Sequence, residues 1–447
     1  MQIIGRNMTQ GRPLKQILSL SLPLVLGNVC QQVYTVVNMA VVGNVLGLRA
    51  LATLGAVDAF NWMMLSFIQG LAQGFSIRIA HQFGACDFEG MRKTIGNACS
   101  LAVMSAGVLM AVGVSLIAPV LHMMNTPGDI VSASRAYLQV AFLGAPATMA
   151  YNLFAAILRA VGDGKAPLRA MFSAAAVNVA LDLLLILGFH TGVRGAALST
   201  VIAQACAALF CLRKLLRSGV LKLSRRDVRP DAGLMAKLLG LGLPVALQST
   251  VIAIGSMIVQ RVINGFDVIF VAGFTATNKL YGVVEPAAIS LGHALTAYVG
   301  QNRGAGAFDR IRRGVRAGAL AGAVAAAAIG GIMLLFGRNV LTLFIGSGGR
   351  EAEQALGYAL NYLRLMSSFL PILYLLHVYR SSLQGLGDTV TPMLSGVAEL
   401  LMRVGAALFL PAVIGFEAVF VGEILAWVGA DAMLFLGYWS RSRRFPV

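Results

Sequence analysis

The sequence predicts an all-α integral membrane protein of about twelve transmembrane helices, arranged as two parallel-repeat lobes of six. Three observations predict it. The first is apolarity: 58% of the 447 residues are hydrophobic, 12% are charged, and the mean hydropathy is +0.79. Soluble domains carry about 25% charged residues, so this chain lacks the polar surface that water requires. The second is internal duplication. Residues 137–167 match 362–392 at a constant offset of 225, pairing Tyr137 with Tyr362, Pro146 with Pro371, Gly162-Asp163 with Gly387-Asp388 and Pro167 with Pro392. Residues 76–93 match 296–313 at an offset of 220, pairing Gly84-Ala85 with Gly304-Ala305, Phe88 with Phe308 and Arg92-Lys93 with Arg312-Arg313. Near the start of each half, Leu22-Pro23 pairs with Leu243-Pro244. The third is the recurrence of apolar runs near the ~20 residues that a spanning helix needs.

Short Gly, Pro or charged breaks delimit these runs. The first expected span, 17–43, follows Arg6, Arg12 and Lys15 and contains Pro23. No small-residue cleavage site follows it, so it reads as an internal start signal rather than a removed signal peptide. The second, 51–77, is closed by Arg78, and the third, 94–121, lies between Arg92-Lys93 and His122. The fourth, 131–158, ends at Arg159 before Gly162-Asp163-Gly164. The fifth, 166–188, opens after Lys165, and the sixth, 195–212, lies between Arg194 and Arg213. The second half repeats the pattern with 234–262, 268–299, 315–337, 354–386, 389–411 and 416–440. The expected organisation is a tail at 1–16, an N-lobe at 17–217, a basic linker at 218–233, a C-lobe at 234–440 and a tail at 441–447. Six spans per half start both halves on the same side. The repeats are then parallel, and their pseudo-two-fold axis runs along the membrane normal.

The net charge of +17 invites a nucleic-acid reading, but its distribution argues for a bilayer. With both termini inside, 25 of the 35 Lys and Arg residues fall on cytoplasmic segments, eight of them in 213–237, including Arg225-Arg226 and Arg229. The opposite side carries Arg49, Arg135, Arg194, Arg338 and Arg350. This is the positive-inside bias, and anionic headgroups are the partners it implies. The expected setting is the inner membrane of a bacterial-type cell, crossed many times, with both termini cytoplasmic.

Motifs for catalysis are absent. Cys30, Cys86, Cys99, Cys206 and Cys211 show no metal spacing, and no structural disulfide is expected. The five histidines are scattered, with His377 mid-span beside Tyr374 and Tyr379. No nucleotide loop or nucleophile elbow occurs. The chain therefore reads as a non-enzyme with no catalytic residues and no cofactor beyond a transported ion. Duplicated membrane units place a substrate path between the repeats.

Several stretches carry a family resemblance. Gln31-Gln32-Val33-Tyr34 through Val41-Val42-Gly43 resembles the first helix of multidrug and toxic compound extrusion (MATE) transporters. So do Gly300-Gln301-Asn302-Arg303-Gly304-Ala305, Leu383-Gln384-Gly385-Leu386-Gly387-Asp388 and Glu399 through Arg403, in the right order across 15–440. The resemblance implies an antiporter that expels organic cations and other amphiphiles, driven by H⁺ or Na⁺. It also implies a superfamily that contains lipid-linked oligosaccharide flippases.

Among the acids within spans, Asp182 draws attention. Asn178 lies four residues earlier, on the same helix face, and Thr200 lies on the next helix. A carboxylate, an amide oxygen and a hydroxyl form an all-oxygen set suited to Na⁺, and the same carboxylate is able to carry a proton. Asn178, Asp182 and Thr200 also coincide with positions that resemble the family's N-lobe cation site. Where the family motif usually has Asp in the first helix, this chain has Asn38. Asn offers an oxygen but takes up no proton at working pH, which leaves Asp182 to carry coupling alone or with another acid. Some relatives carry a Glu eight residues after the seventh-helix Pro; here Ile252 stands there, and the span from Tyr362 to Gly387 has no acid. Glu399 and Arg403, four apart, suit an intrahelical ion pair that holds the helix against Arg380 or the loop near Asp388. Glu285, which precedes Pro286, is a cleft candidate, as are Tyr34, Met64, Tyr151 and His377.

The expected function is thus a monomeric, rocking-lobe antiporter for a small organic cation or amphiphile, with no nucleic-acid partner. The alternative is a flippase for a lipid-linked precursor, which needs a basic cleft. Arg261, Lys279, Arg364, Arg380 and Arg403 are the in-span cations available to it.

Overall fold

The computed structural model describes residues 5–124, 126–220, 224, 227–345 and 349–446. Arg225 and Arg226 of the expected linker, residues 1–4 of the expected N-tail and Val447 lie outside the described residues. The first half comprises α1 (Pro13–Leu46), α2 (Leu48–Gly84), α3 (Phe88–Met123), α4 (Gly128–Leu143), α5 (Ala145–Ala160), α6 (Lys165–Asp182) and α7 (Val193–Arg217). A π-helical segment, Leu183–Gly188, continues α6. The second half comprises α8 (Ala232–Ile263), α9 (Val268–Gly304), α10 (Phe308–Ile345), α11 (Arg350–Gly385), α12 (Val390–Phe409), the short α13 (Pro411–Ile414) and α14 (Glu417–Arg443). No strand occurs among the described residues.

Ten of these helices are long and apolar enough to cross a membrane, and α4 with α5, bent by 46° at Gly144, counts as an eleventh. Pro146 sits just after that bend, at the start of α5. In the equivalent place Pro371 lies inside the unbroken α11. With 37 residues, α9 is as long as its neighbours but less apolar. It carries Asn278, Lys279 and Glu285, and it packs against α1, α2, α10 and α11. It supplies the twelfth segment of membrane-crossing length. Helices of 34 to 38 residues, such as α1 and α10, span about 50 Å at 1.5 Å per residue, well beyond a ~30 Å hydrocarbon core. Their ends therefore stand outside it. The outward faces of α3 and α10 expose Val103, Met104, Val108, Leu320, Val324 and Leu335. So much contiguous apolar surface suits lipid rather than water.

The two halves have separate cores. One gathers Phe60, Ile68, Phe75, Ile95, Leu138 and Ile157; the other gathers Phe274, Leu295, Tyr298, Tyr362, Leu370 and Tyr374. The first part of the first helix of each half crosses over, while Tyr34 of α1 and Val259 and Ile263 of α8 pack in their own halves. Ile17, Leu20 and Leu24 of α1 pack into the second core, while Leu238 and Ala246 of α8 pack into the first. Backbone turns repeat as well: Cys86 (φ 57°) and Gly306 (φ 68°) are left-handed at an offset of 220, and Gly162 (φ 84°) and Gly387 (φ 74°) at 225.

Both chain ends lie at one face, the base of the molecule. Asn302, near the end of α9, donates to the Met8 carbonyl, and Arg312 at the start of α10 donates to the Ser442 carbonyl at 3.0 Å. Along the seam between the halves, glycines let α2 touch α8. A Cβ on Gly74 would lie 2.3 Å from the Gly242 Cα, and one on Gly70 would lie 2.4 Å from the Ala246 Cα.

Candidate functional site

Two polar sites lie within the helices, one inside the first half and one between the halves. In the first half, Asp182 ends α6 and is 1% exposed. Helical spacing puts Asn178 one turn earlier on the same face, and α7 presents Ser199 and Thr200 across from them. Ser199 donates its hydroxyl to Asp182 Oδ1. In the amide orientation that pairs every polar atom, Asn178 donates to Asp182 Oδ2 at 3.2 Å and accepts from the Thr200 amide at 3.2 Å. Thr200 Oγ1 donates back to the Ala196 carbonyl at 3.0 Å. The carboxylate is thus held by hydrogen-bond donors and has no ion pair with any described residue. The helix departs from α geometry directly after Asp182, a feature common at functional sites. Asn38 stands on α1, which packs along α6 and the π-helical segment, and its Oδ1 is buried without a partner.

The second site is a cavity of about 450 Å³ between the halves, lined by α2, α8, α9, α11, α12 and α14. Its charges form a ladder. Glu399 accepts from Arg380 at 2.8 Å and from Arg403 at 2.9 Å, and Arg403 reaches on to Glu423 at 2.8 Å. Arg380, Glu399 and Arg403 are all at most 9% exposed. Such an array holds together because each charge has an opposite partner; a lone one would carry a heavy desolvation cost. Glu285 lines the same cavity without a hydrogen bond or ion pair to any described residue. Two arginines thus face three carboxylates. Aromatic rings complete the wall: Tyr281 stacks on Trp427 with centroids 5.9 Å apart, and Phe274 stacks on Tyr362 at 5.0 Å.

The structure brings Asp182, Asn178 and Thr200 together, with Asn38 on the neighbouring α1. None of these four lines the cavity between the halves. Of the cleft candidates, Glu285 and His377 line it. Met64 and Tyr151 are buried in the first core, 5% and 8% exposed, and Tyr34 packs against that core. Sequence reasoning paired Glu399 with Arg403 and Arg380, and the geometry agrees; Asp388 instead meets Arg441 at 2.7 Å. It missed Ser199 as the partner of Asp182 and Glu423 as the end of the ladder. It also missed Gln384, which donates to Gln248 at 3.2 Å inside the cavity. Acids reach the second half from α9, α12 and α14 rather than from the Ile252 position or the span that begins at Tyr362.

Ten membrane-crossing helices, a bent pair and α9, set in two related halves with a polar cavity between them, form the architecture of an integral membrane transporter. The chain belongs to the MatE family, whose model matches residues 23–184 and again 244–408, once in each half. It is 28% identical over 434 residues to the probable multidrug resistance protein YpnP of Bacillus subtilis, covering 96% of each chain. It is 29% identical over 337 residues to the probable multidrug resistance protein YoeA of the same organism, covering 72% of each. A solved multidrug resistance MATE family transporter of the MOP superfamily, in an outward-facing conformation, superposes with a TM-score of 0.93 at 23% identity, covering 100% of each chain. These relatives are transporters, not enzymes.

Proposed function

We propose that this chain is a proton-driven antiporter that exports organic cations and cationic amphiphiles, with Asp182 as proton carrier and the cavity around Glu285 as substrate site. The charge balance of the cavity carries this reading. Its two arginines are matched by Glu399 and Glu423, so Glu285 is left as an uncompensated carboxylate among stacked aromatic rings. A carboxylate beside aromatic faces is the chemistry that attracts an organic cation. The same balance disfavours the flippase alternative. A pyrophosphate needs free positive charge, and Arg380 and Arg403 already spend theirs on carboxylates.

The donors around Asp182 support H⁺ over Na⁺. Sodium coordination requires several oxygens aimed at the ion, yet the described residues offer a single carboxylate here, and Ser199 turns its hydroxyl hydrogen to it. A proton needs only the carboxylate. Proton binding drives export if it favours one conformation of the halves over the other. The same reading treats the chain as a monomer in the cytoplasmic membrane of a bacterial-type cell. Both termini are inside, and lobes 17–217 and 234–440 rock about the linker at 218–233.

Purified protein in liposomes, given a fluorescent organic cation under imposed pH and Na⁺ gradients, tests this. Uptake driven by the pH gradient and lost in Asp182→Asn is expected. Uptake that follows only the Na⁺ gradient would reassign the ion, and equal uptake in the variant would remove Asp182 from the mechanism.

A further inference from the structure

Two hydrogen bonds cross the base in equivalent positions. His81, in the last turn of α2, bonds through Nε2 to the Gly385 carbonyl at the end of α11, at 2.7 Å. Gln301, in the last turn of α9, donates through Nε2 to the Ala160 carbonyl at the end of α5, at 2.8 Å. His81 and Gln301 differ by the offset of 220, and Ala160 and Gly385 by 225. The two bonds are therefore copies of one contact, and each joins one half to the other. Both acceptors are terminal helix carbonyls, which lack an intrahelical partner. At the rim of the membrane water can take over such an acceptor, so the bonds can break without stranding a buried group.

The backbones beneath these bonds are in close contact. A Cβ on Gly84 would lie 1.9 Å from the Gln301 carbonyl oxygen, and one on Gly304 would lie 1.8 Å from the His81 carbonyl oxygen. These glycines are again 220 apart.

A third contact lies ahead of α1. The segment ahead of α1 runs between the halves as a strap. The Arg6 amide donates to the Val161 carbonyl in the first half at 2.8 Å. Two residues on, the Met8 amide donates to Gln301 Oε1 at 2.8 Å. The Met8 carbonyl accepts from Asn302 and from Arg310, each at 3.2 Å. Met8 is fully buried there, at 0% exposure. Gln301 thus uses both ends of its amide, one on the strap and one on the opposite half.

We propose that residues 5–8, with the His81 and Gln301 bonds, form a latch that holds the halves shut at the base and must part once in each transport cycle. The inference rests on the alternating-opening reading, but its test needs no substrate. The exposed native Cys86 and Asp309→Cys, in a chain whose other four cysteines are alanine, place spin labels on opposite halves at the base. Distances are read by pulsed electron paramagnetic resonance in lipid nanodiscs.

The parent should give one short distance. His81→Ala with Gln301→Ala, and separately a chain lacking residues 2–8, should each add a longer population. His81→Gln should keep the parent distribution, because glutamine makes the same bond at 301. That variant also serves if the double alanine form folds poorly. Parent-like distances in both weakened forms overturn the latch whether or not the protein transports. So does an opened distribution in His81→Gln.

Discussion

Arg403 and Glu285 share one cavity wall, and their removal leaves different things behind. Arg403 bridges Glu399 and Glu423. Arg403→Ala strands Glu423 without a cation and leaves Glu399 only Arg380. Breaking a buried pair in this way costs about 3–5 kcal/mol, so a lowered melting temperature in detergent is expected. An unchanged melt would mean that water already screens the ladder. Glu285 has no partner to strand. Glu285→Gln should melt at or above the parent, yet bind an organic cation at least about tenfold more weakly, or about 1.4 kcal/mol. Isothermal titration with the cation reads this directly, and parent-like affinity would move the cation site elsewhere. Legibility at this scale followed distance along the chain. Asn178 and Asp182 were readable because i and i+4 share a helix face. Ser199 and Thr200 are adjacent, so their side chains point in different directions, and nothing local says which hydroxyl meets the carboxylate. Arg380, Glu399 and Glu423 come from three helices, and no spacing rule joins them.

Element-scale architecture depends on the seam where α2 meets α8. Gly74 faces backbone there: an added Cβ would lie 2.3 Å from the Gly242 Cα and 2.7 Å from the Gly242 nitrogen. No side-chain motion relieves a clash with backbone, so the helices must separate. Gly74→Val is expected to cost at least about 1–3 kcal/mol, the range for overpacking a tight contact, and to lower the melting temperature. Gly107, with nothing within 4 Å of its Cβ position, should accept alanine without loss. Equal melts for the two variants would show that the seam is looser than described. The helices themselves were legible from apolar runs, but their ends were not. The expected span 315–337 lies within a helix running Phe308–Ile345, because charged residues at either end continue the helix beyond the lipid. Pro146 marks the break at Gly144, but the π-helical segment after Asp182 gave no signal, since it lies inside continuous apolar sequence.

At the scale of the whole molecule, the duplication read from the sequence is the symmetry of the fold. What it did not reveal is the exchange of the first part of each first helix, with Ile17, Leu20 and Leu24 of α1 seated in the second core and Leu238 and Ala246 of α8 in the first. Apolar faces carry no address, so Ile17 and Leu20 match either core in composition. The exchange ties the halves most closely at the base, where His81, Gln301 and the strap also lie. The charge distribution predicts that the base faces the cytoplasm. Arg6, Arg303, Arg310, Arg312 and Arg441 all lie on the segments that meet there, and translocation leaves such residues on the cytoplasmic side. A reporter fused after Val447 tests this in cells. Green fluorescent protein should be bright there, whereas alkaline phosphatase, active only outside the cytoplasm, should be silent. The same phosphatase fused after Thr191, between the π-helical segment and α7, should be active. The reverse pattern would put the base outside. The close contacts around Gly84 and Gly304 would then lie at the outer face.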